Sequence, residues 1–336
     1  MVKYLPNNYL ILKTEQAQIL CDPILNERTP LEKHDFIILT HLDFDTLDFM
    51  NNYTSSKPVY VSFELLKLIQ KLIKVNLLKP VQLNLKVLPY KYAVKIGNIS
   101  LTAFSNDDGQ FGSMSILASG PHNTLGYCDS FYTHGNHKKR IKKWKKIFHE
   151  QNIDQLVLGS QIAPLNRSKN ILSENGMQEM LTKFISKHKT TQPLTALLSP
   201  FDPERLYRYD KTAKTNQTPI IWDNNYWQIL HSFYPFDDFF SVERLPEKNT
   251  NIMIQMEQSQ QLKNSNTFFD PAVLHPCSVN TEGLIHQKPL CALSQSELNE
   301  FISYIKPQQV IMKKDHSSDQ NHLIPTNWLK SLTIAM

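Results

Sequence analysis

The chain has 336 residues, of which 41% are hydrophobic, and its 36 Lys and Arg against 31 Asp and Glu give a formal net charge of +5. These values suit a globular protein with one large or two smaller domains, and so mild a charge permits a nucleic-acid partner without requiring one. Only nine glycines are present. Neither GxGxxG after a strand nor GxxxxGKS/T occurs, which argues against dinucleotide-binding and P-loop folds.

The cysteines and the N-terminal residues indicate in which cellular compartment the protein is expected. Cys21, Cys128, Cys277 and Cys291 are far apart and form no CxxC pair, which disfavours a zinc ribbon or a disulfide scaffold. No window reaches eighteen consecutive apolar residues, and the first twelve residues lack a signal-peptide pattern. The sequence therefore predicts a cytoplasmic protein with no membrane partner.

The first 130 residues are predicted to be mostly strands, with a single helix. Asp35–Thr40 (DFIILT) is a short, continuous apolar run, typical of a strand buried on both faces. The apolar spacing of Phe63–Val75 predicts a helix. Further strands are predicted at residues 9–14, 17–20, 59–62, 81–88, 94–104, 113–119 and 124–127.

Strands and helices alternate in the second half of the chain, which indicates parallel strand–helix–strand units. Residues 234–270 are polar and irregular and are predicted to form a surface loop. Ser294 and Glu297 have the spacing of a capping box at the start of a helix. Helices are predicted at 136–151, 177–188, 203–214 and 294–305, and strands at 154–158, 194–198, 218–222 and 310–312.

Several motifs occur in an order that resembles a known family. Thr40–Thr46 (THLDFDT) follows the buried strand, and Gly126–Asp129 (GYCD) follows a later one. Near the end, residues 289–298 (PLCALSQSEL) lead into residues 301–307 (FISYIKP). This order resembles the metallo-β-lactamase fold, and the last motif, together with Phe201–Arg205 (FDPER), resembles its β-CASP nucleases of the ribonuclease J-like group.

The resemblance implies an α/β (α+β) fold, an αββα metallo-β-lactamase sandwich with a short inserted β-CASP-like α/β domain. The sandwich is expected to comprise residues 1–190 and 286–336, and the insertion residues 191–285. In enzymes of this family, two zinc ions on loops at one sheet edge activate a water that attacks a phosphodiester.

The ligand motifs of that family are only partly present. His41, Asp45 and Asp129 match, whereas Asp43 stands in place of a second histidine and Thr46 in place of a third. The remaining ligand positions are expected to correspond to Asn106–Asp108, Gly159, Ala292 and a lysine at 313 or 314.

Two hypotheses follow for this site. In the first, the protein is a degenerate relative that has little or no hydrolytic activity, holds no metal, and is retained for binding or regulation. In the second, it is a metal-dependent hydrolase in which Asp45 and Asp129 are catalytic and one divalent ion, Mg²⁺, Mn²⁺ or Zn²⁺, is held by an oxygen-rich set. That set comprises His41, Asp43, Asp45, Asp107, Asp108 and Asp129.

Residues 137–146 (HKKRIKKWKK) form the most basic stretch. On a helix, Ile141, Trp144 and Ile147 share one side, so the lysines are expected either to be merely solvated or to contact nucleic-acid phosphates. The candidate nucleic-acid-binding residues are Lys138, Lys139, Arg140, Lys142 and Lys143. A homo-oligomer, or a complex with a related subunit, is the other partner hypothesis.

Overall fold

The computed structural model of the chain describes residues 2–4, 10–23, 36–133, 135–159, 173–188, 193–246, 251–256, 267–270 and 293–312. The strands are β1 (Val2–Tyr4), β2 (Leu10–Lys13), β3 (Gln18–Cys21), β4 (Phe36–Ile38), β5 (Ser55–Val61), β6 (Leu83–Val87), β7 (Ala93–Ile96), β8 (Ile99–Ser105), β9 (Met114–Ser119), β10 (Thr124–Cys128), β11 (Gln155–Leu158), β12 (Leu194–Leu197), β13 (Ile220–Trp222), β14 (Phe240–Ser241), β15 (Met253–Met256), β16 (Thr267–Phe269) and β17 (Gln309–Met312). The helices are α1 (Phe44–Asn52), α2 (Phe63–Lys74), α3 (Lys138–Glu150), α4 (Glu174–Lys187), α5 (Pro203–Thr215), α6 (Asn224–Phe233) and α7 (Gln295–Ile305).

Two six-stranded sheets pack face to face, with helices on both outer faces. Their strand orders are β1-β2-β3-β4-β5-β6 and β17-β11-β10-β9-β8-β7. Apolar side chains of both sheets, among them Leu12, Ile38 and Ile116, form a common buried core. The buried residues of α1 and α2 cover the outer face of the first sheet, and those of α3 and α7 cover the second. The predicted αββα sandwich is therefore confirmed.

The strand pairings bring several loops to one edge of this sandwich. β3 runs parallel to β4, and β10 runs parallel to β11, with Cys128 opposite Leu158. Parallel neighbours end at the same side of their sheet, which is where open α/β sheets place functional groups. The residues that follow these strands are Asp22, Leu39–Asp43, Asp129 and Gly159.

A third sheet, with the order β14-β13-β15-β12-β16, is formed by strands that all run parallel to their neighbours. It shares a core with α4, α5 and α6 that includes Trp222 and Tyr226. The prediction of surface loop over residues 234–270 is wrong for β14, β15 and β16. β15 is central, and these strands of two to four residues are too short to show a strand period in a polar stretch. The domain boundaries near residues 190 and 285 remain predictions.

The sequence also failed to predict two helices. α1 begins inside the motif that resembles a ligand loop, where the Asp43 side chain caps it by accepting the N–H of Thr46. α6 lies within an aromatic-rich stretch and is capped by Asp223. The capping box of Ser294 and Glu297 at the start of α7 is confirmed. None of the helices in the described ranges is long and apolar enough to cross a membrane.

Candidate functional site

A buried carboxylate organises the polar groups at the sheet edge. Asp22, directly after β3, accepts the backbone N–H of Thr40 at 2.6 Å, the Thr40 hydroxyl at 2.6 Å and the Tyr127 hydroxyl at 2.7 Å. Three donors converging on one carboxylate favour its ionised form. No sequence motif singles out this aspartate, because an Asp directly before Pro23 indicates only a turn.

His41 lies at the centre of this group, and its side chain is only 4% exposed. Its Nδ1 is 3.0 Å from the Thr40 hydroxyl oxygen, and its Nε2 is 3.0 Å from Asp43 Oδ2 and 3.6 Å from Asp129 Oδ2. Because the Thr40 hydroxyl donates to Asp22, it accepts from His41 Nδ1–H, and an ionised Asp43 likewise requires a proton on Nε2. The geometry therefore describes an imidazolium among carboxylates.

The electrostatics agree with this assignment. Burial by itself would lower the pKa of His41, but the carboxylates of Asp43, Asp22 and Asp129 hold that pKa well above its usual range. Burial would likewise raise the pKa of Asp43, but His41 and the Thr46 N–H, 2.8 Å from Asp43 Oδ1, hold it below its usual range. Each charge is thus compensated by its neighbours, which is what a buried ionic group requires.

Asp107 and Asp108, predicted to act together, face different surroundings. Asp108 accepts the Ser130 hydroxyl at 3.2 Å and the Gln110 N–H at 2.9 Å, and burial raises its pKa to about 6. Asp107 instead accepts the backbone N–H of His137 at 2.7 Å, and burial raises its pKa too. The structure therefore brings together His41, Asp43 and Asp129, with Asp108 nearby, and turns Asp107 toward the start of α3.

This set of side chains does not fit a two-metal site. Among the residues that the structure describes, no group of three or more His, Cys, Asp or Glu side chains is arranged to hold a metal ion. Both oxygens of Asp43 are engaged, one by His41 and the other by the N-terminus of α1. The side chain of Asp45 and the predicted ligand positions at 292 and 313–314 lie outside the described residues.

Gly159 is the position expected to correspond to an acid of the resembled enzymes, and its surroundings exclude any side chain. A Cβ at this position would lie 1.7 Å from the carbonyl oxygen of Asp129. This distance is far shorter than a van der Waals contact. The clashing atom belongs to the backbone, so no change of side-chain rotamer can relieve the clash. The backbone of Asp129 occupies the space that a carboxylate at position 159 would need.

The predicted basic helix is α3, and it has two unlike sides. Ile141, Trp144 and Phe148 are buried against the second sheet. With 100° between successive helical residues, the opposite side carries five exposed lysines. We call it the lysine face: Lys138, Lys139, Lys142, Lys143 and Lys146.

The other two cations of the basic stretch point elsewhere. Arg140 donates to the carbonyl oxygen of Asn106 at 3.4 Å and is half-buried. Lys145 places its ammonium 4.3 Å from the ring centroid of Tyr304, on α7. Arg140 therefore lies apart from the lysines predicted with it to bind nucleic acid.

The layers, strand order and edge loops described above are those of a metallo-β-lactamase-type sandwich. No protein-family model matches the sequence, and no curated protein matches it significantly. A protein of unknown function from Enterococcus faecalis V583 shares the fold, with a TM-score of 0.62 and 12% identity over 91% of this chain and 90% of that one.

Two metallo-β-lactamase-fold structures align with part of the chain. YhfI from Bacillus subtilis is 15% identical over 45% of this chain and 62% of its own, with a TM-score of 0.32. Zn(2+)-bound PqqB from Methylobacterium extorquens is 11% identical over 47% of this chain and 61% of its own, with a TM-score of 0.34. These alignments span less than two thirds of either relative and carry no argument about the site, so the fold assignment rests on the topology.

Proposed function

We propose that the chain is a nuclease-like metallo-β-lactamase-fold protein of β-CASP type whose sheet-edge site has weak or lost hydrolytic activity, and that it is retained to bind nucleic acid in the cytoplasm. The observation that carries the loss of hydrolysis is the closed set of hydrogen bonds around His41. The imidazolium sits between Asp43 and Asp129, where it neutralises carboxylates that would otherwise repel one another.

A metal ion would compete with the protons and hydrogen bonds already in place around His41. A divalent ion at this point would have to displace the His41 proton from Asp43 and separate the Asp43 carboxylate from the start of α1. Metal binding to such groups is coupled to proton release. The metal affinity is therefore reduced by the free energy needed to break the existing hydrogen-bonded pairs. The block at Gly159 removes one further ligand that would compensate this loss.

The binding role is supported by the lysine face. Its five ammonium groups lie on one side of α3, and Lys91, from the loop before β7, extends the same positive surface. Lys91 approaches Lys143 so closely that it lowers the pKa of the Lys143 ammonium. Cations gathered in this way attract a phosphate backbone and release its counterions, without reading its sequence.

A first experiment tests hydrolysis. The purified protein is assayed for cleavage of single-stranded RNA and DNA with added Mg²⁺, Mn²⁺ or Zn²⁺. We expect no activity above that of the double variant His41→Ala, Asp129→Ala. Turnover that requires one of these ions and disappears in the double variant would overturn the loss of hydrolysis.

A second experiment tests binding. The variant Lys138→Gln, Lys139→Gln, Lys142→Gln, Lys143→Gln removes four positive charges, and Lys57→Gln, Lys79→Gln, Lys183→Gln, Lys187→Gln removes four from exposed positions elsewhere. For single strands, log K falls with log salt by about 0.7 per phosphate contact, so the first variant should bind more weakly with a slope shallower by about 3. Equal behaviour of the two variants would contradict the assignment.

A metal-dependent hydrolase is the second candidate. It is favoured by the convergence of Asp43 Oδ2 and Asp129 Oδ2, both within 3.6 Å of His41 Nε2. Carboxylate oxygens gathered at one point suit Mg²⁺ or Mn²⁺ better than two zinc ions. The hydrolysis assay above separates this candidate from the first.

A further inference from the structure

An exposed aromatic ring lies beside the lysine face. The Tyr92 side chain is 73% exposed, and within the described ranges its ring stacks on no other ring and its hydroxyl forms no hydrogen bond. Tyr92 directly follows Lys91, whose ammonium extends the lysine face, and β7 then begins at the edge of the second sheet. Because the fold does not use the Tyr92 ring, this ring is available to a ligand that the lysines attract.

Backbone contacts hold this segment in place. The Lys91 N–H donates to the carbonyl oxygen of Ala103, on β8, at 2.8 Å, and Tyr90 forms a β-bridge with the same residue. The Tyr90 hydroxyl donates to the carbonyl oxygen of Ser113 at 3.4 Å, and Tyr90 packs against the core between the two sheets. Lys91 and Tyr92 therefore project from a turn that is already fixed, so a ligand loses little affinity to ordering of the backbone.

Two ammonium groups meet at this turn. The Lys91 ammonium lies close enough to that of Lys143, on α3, to lower the pKa of Lys143. In the part of the chain that the structure describes, neither lysine forms an ion pair with a carboxylate. Two like charges at short range repel each other, and an anion that accepts hydrogen bonds from both relieves this repulsion. A phosphate group is the anion that a nucleic acid supplies.

We propose that Lys91 and Lys143 hold one phosphate of a single-stranded nucleic acid, and that the Tyr92 ring stacks on a neighbouring base. This inference rests on the proposed binding of nucleic acid by the lysine face, and it specifies the form of that nucleic acid. In a duplex each base is covered by its stacked neighbours, whereas an unpaired base offers an open face to an aromatic ring. Such stacking tolerates any base, so the strand is recognised without being read.

Fluorescence anisotropy of the full chain with labelled strands of about 12 nucleotides tests the stacking. The probes are oligo(dT), oligo(U), an abasic strand with the same number of phosphates, and a DNA duplex. The tighter of the two base-containing single strands should bind at least about fivefold more tightly than the abasic strand, and its sugar indicates whether the ligand is DNA or RNA.

Substitution of Tyr92 separates stacking from charge. Tyr92→Ala should abolish the preference for bases and leave the affinity for the abasic strand unchanged, because no charge is altered. Tyr92→Phe keeps the ring and should preserve the preference. The matched control Phe236→Ala removes another exposed ring and should change nothing.

The variant Lys91→Gln, Lys143→Gln tests the phosphate contact. It should weaken binding of the single strand and make its salt slope shallower by about 0.7, the value for one phosphate. The control Lys79→Gln, Lys183→Gln removes two charges from exposed positions elsewhere and should leave the slope unchanged.

The failures of the two proposals are distinguishable. Equal affinity for the abasic and base-containing strands, tighter binding of the duplex, or equal slopes in the two lysine variants would overturn this inference and leave the binding role of the lysine face standing. Binding of no probe at all would overturn both.

Discussion

Removal of the buried Arg205 charge should destabilise the protein severely. In Arg205→Met, the carboxylate of Glu174, 4% exposed, loses its ion pair, and the carbonyl oxygen of Gly109 loses a donor. Breaking a buried pair by removing one partner typically costs about 3–5 kcal/mol, because the other charge stays buried without compensation. Against a typical total of about 5–15 kcal/mol, this is a large fraction of the free energy of unfolding.

Urea unfolding followed by tryptophan fluorescence measures this loss. The double variant Arg205→Met, Glu174→Gln should recover part of it, because no charge is then left unpaired. Arg244→Met is the control, since its pair with Asp238 is 68% and 60% exposed and should contribute about 0–1 kcal/mol. A loss below about 1 kcal/mol in Arg205→Met, or no recovery in the double variant, would mean that the buried charge of Glu174 does not depend on this ion pair for compensation.

Three further variants test other parts of the structure. Gly159→Ala should lower the free energy of unfolding by about 3 kcal/mol or more, because its Cβ would overlap the Asp129 carbonyl. In the same urea experiment, the control Gly120→Ala should stay within about 0.5 kcal/mol of the parent. Burial and the Glu174 charge raise the pKa of Asp202 to about 7, despite the attraction of Arg205. The folded state therefore keeps the Asp202 proton to a higher pH than the unfolded state does, so the free energy of unfolding falls as pH rises from about 4 to about 7. Asp202→Asn keeps an oxygen to cap α5 and should remove that loss, and an unchanged pH profile of thermal stability would contradict it. Ser294→Ala removes the capping box of α7 and should lower stability by about 1 kcal/mol, while Ser296→Ala, within the same helix, should cost less; equal losses would argue against the cap.

Most strands and helices of the sandwich were predictable because they carry strong local signals, whereas their αββα arrangement was implied by the family resemblance. The apolar run before Thr40 predicts a strand buried on both faces, and β4 lies within it, with Ile37 and Ile38 fully buried. The Ser294–Glu297 spacing located the start of α7 correctly. The short strands of the third sheet lack such signals, because β15 takes its conformation from pairing with β12 and β13 rather than from its own pattern.

The candidate site was predictable only in part. The position of His41 after a buried strand pointed to chemistry at the sheet edge, but Asp22 is 19 residues earlier in the chain, and no spacing rule links the two. The divergence of Asp107 and Asp108 depends on which loop packs against each carboxylate. The steric constraint at Gly159 depends on the path of the Asp129 backbone, which no sequence pattern around position 159 indicates.

We expect the sheet-edge carboxylates to be neutralised by the His41 imidazolium rather than by a bound metal. The most direct measurement is the metal content of the full chain, purified without chelator and analysed by inductively coupled plasma mass spectrometry. The metal content should be far below one ion per chain, and the thermal midpoint should not change with added Mg²⁺, Mn²⁺ or Zn²⁺. One tightly bound ion per chain, lost in the variant His41→Ala, Asp129→Ala, would contradict it.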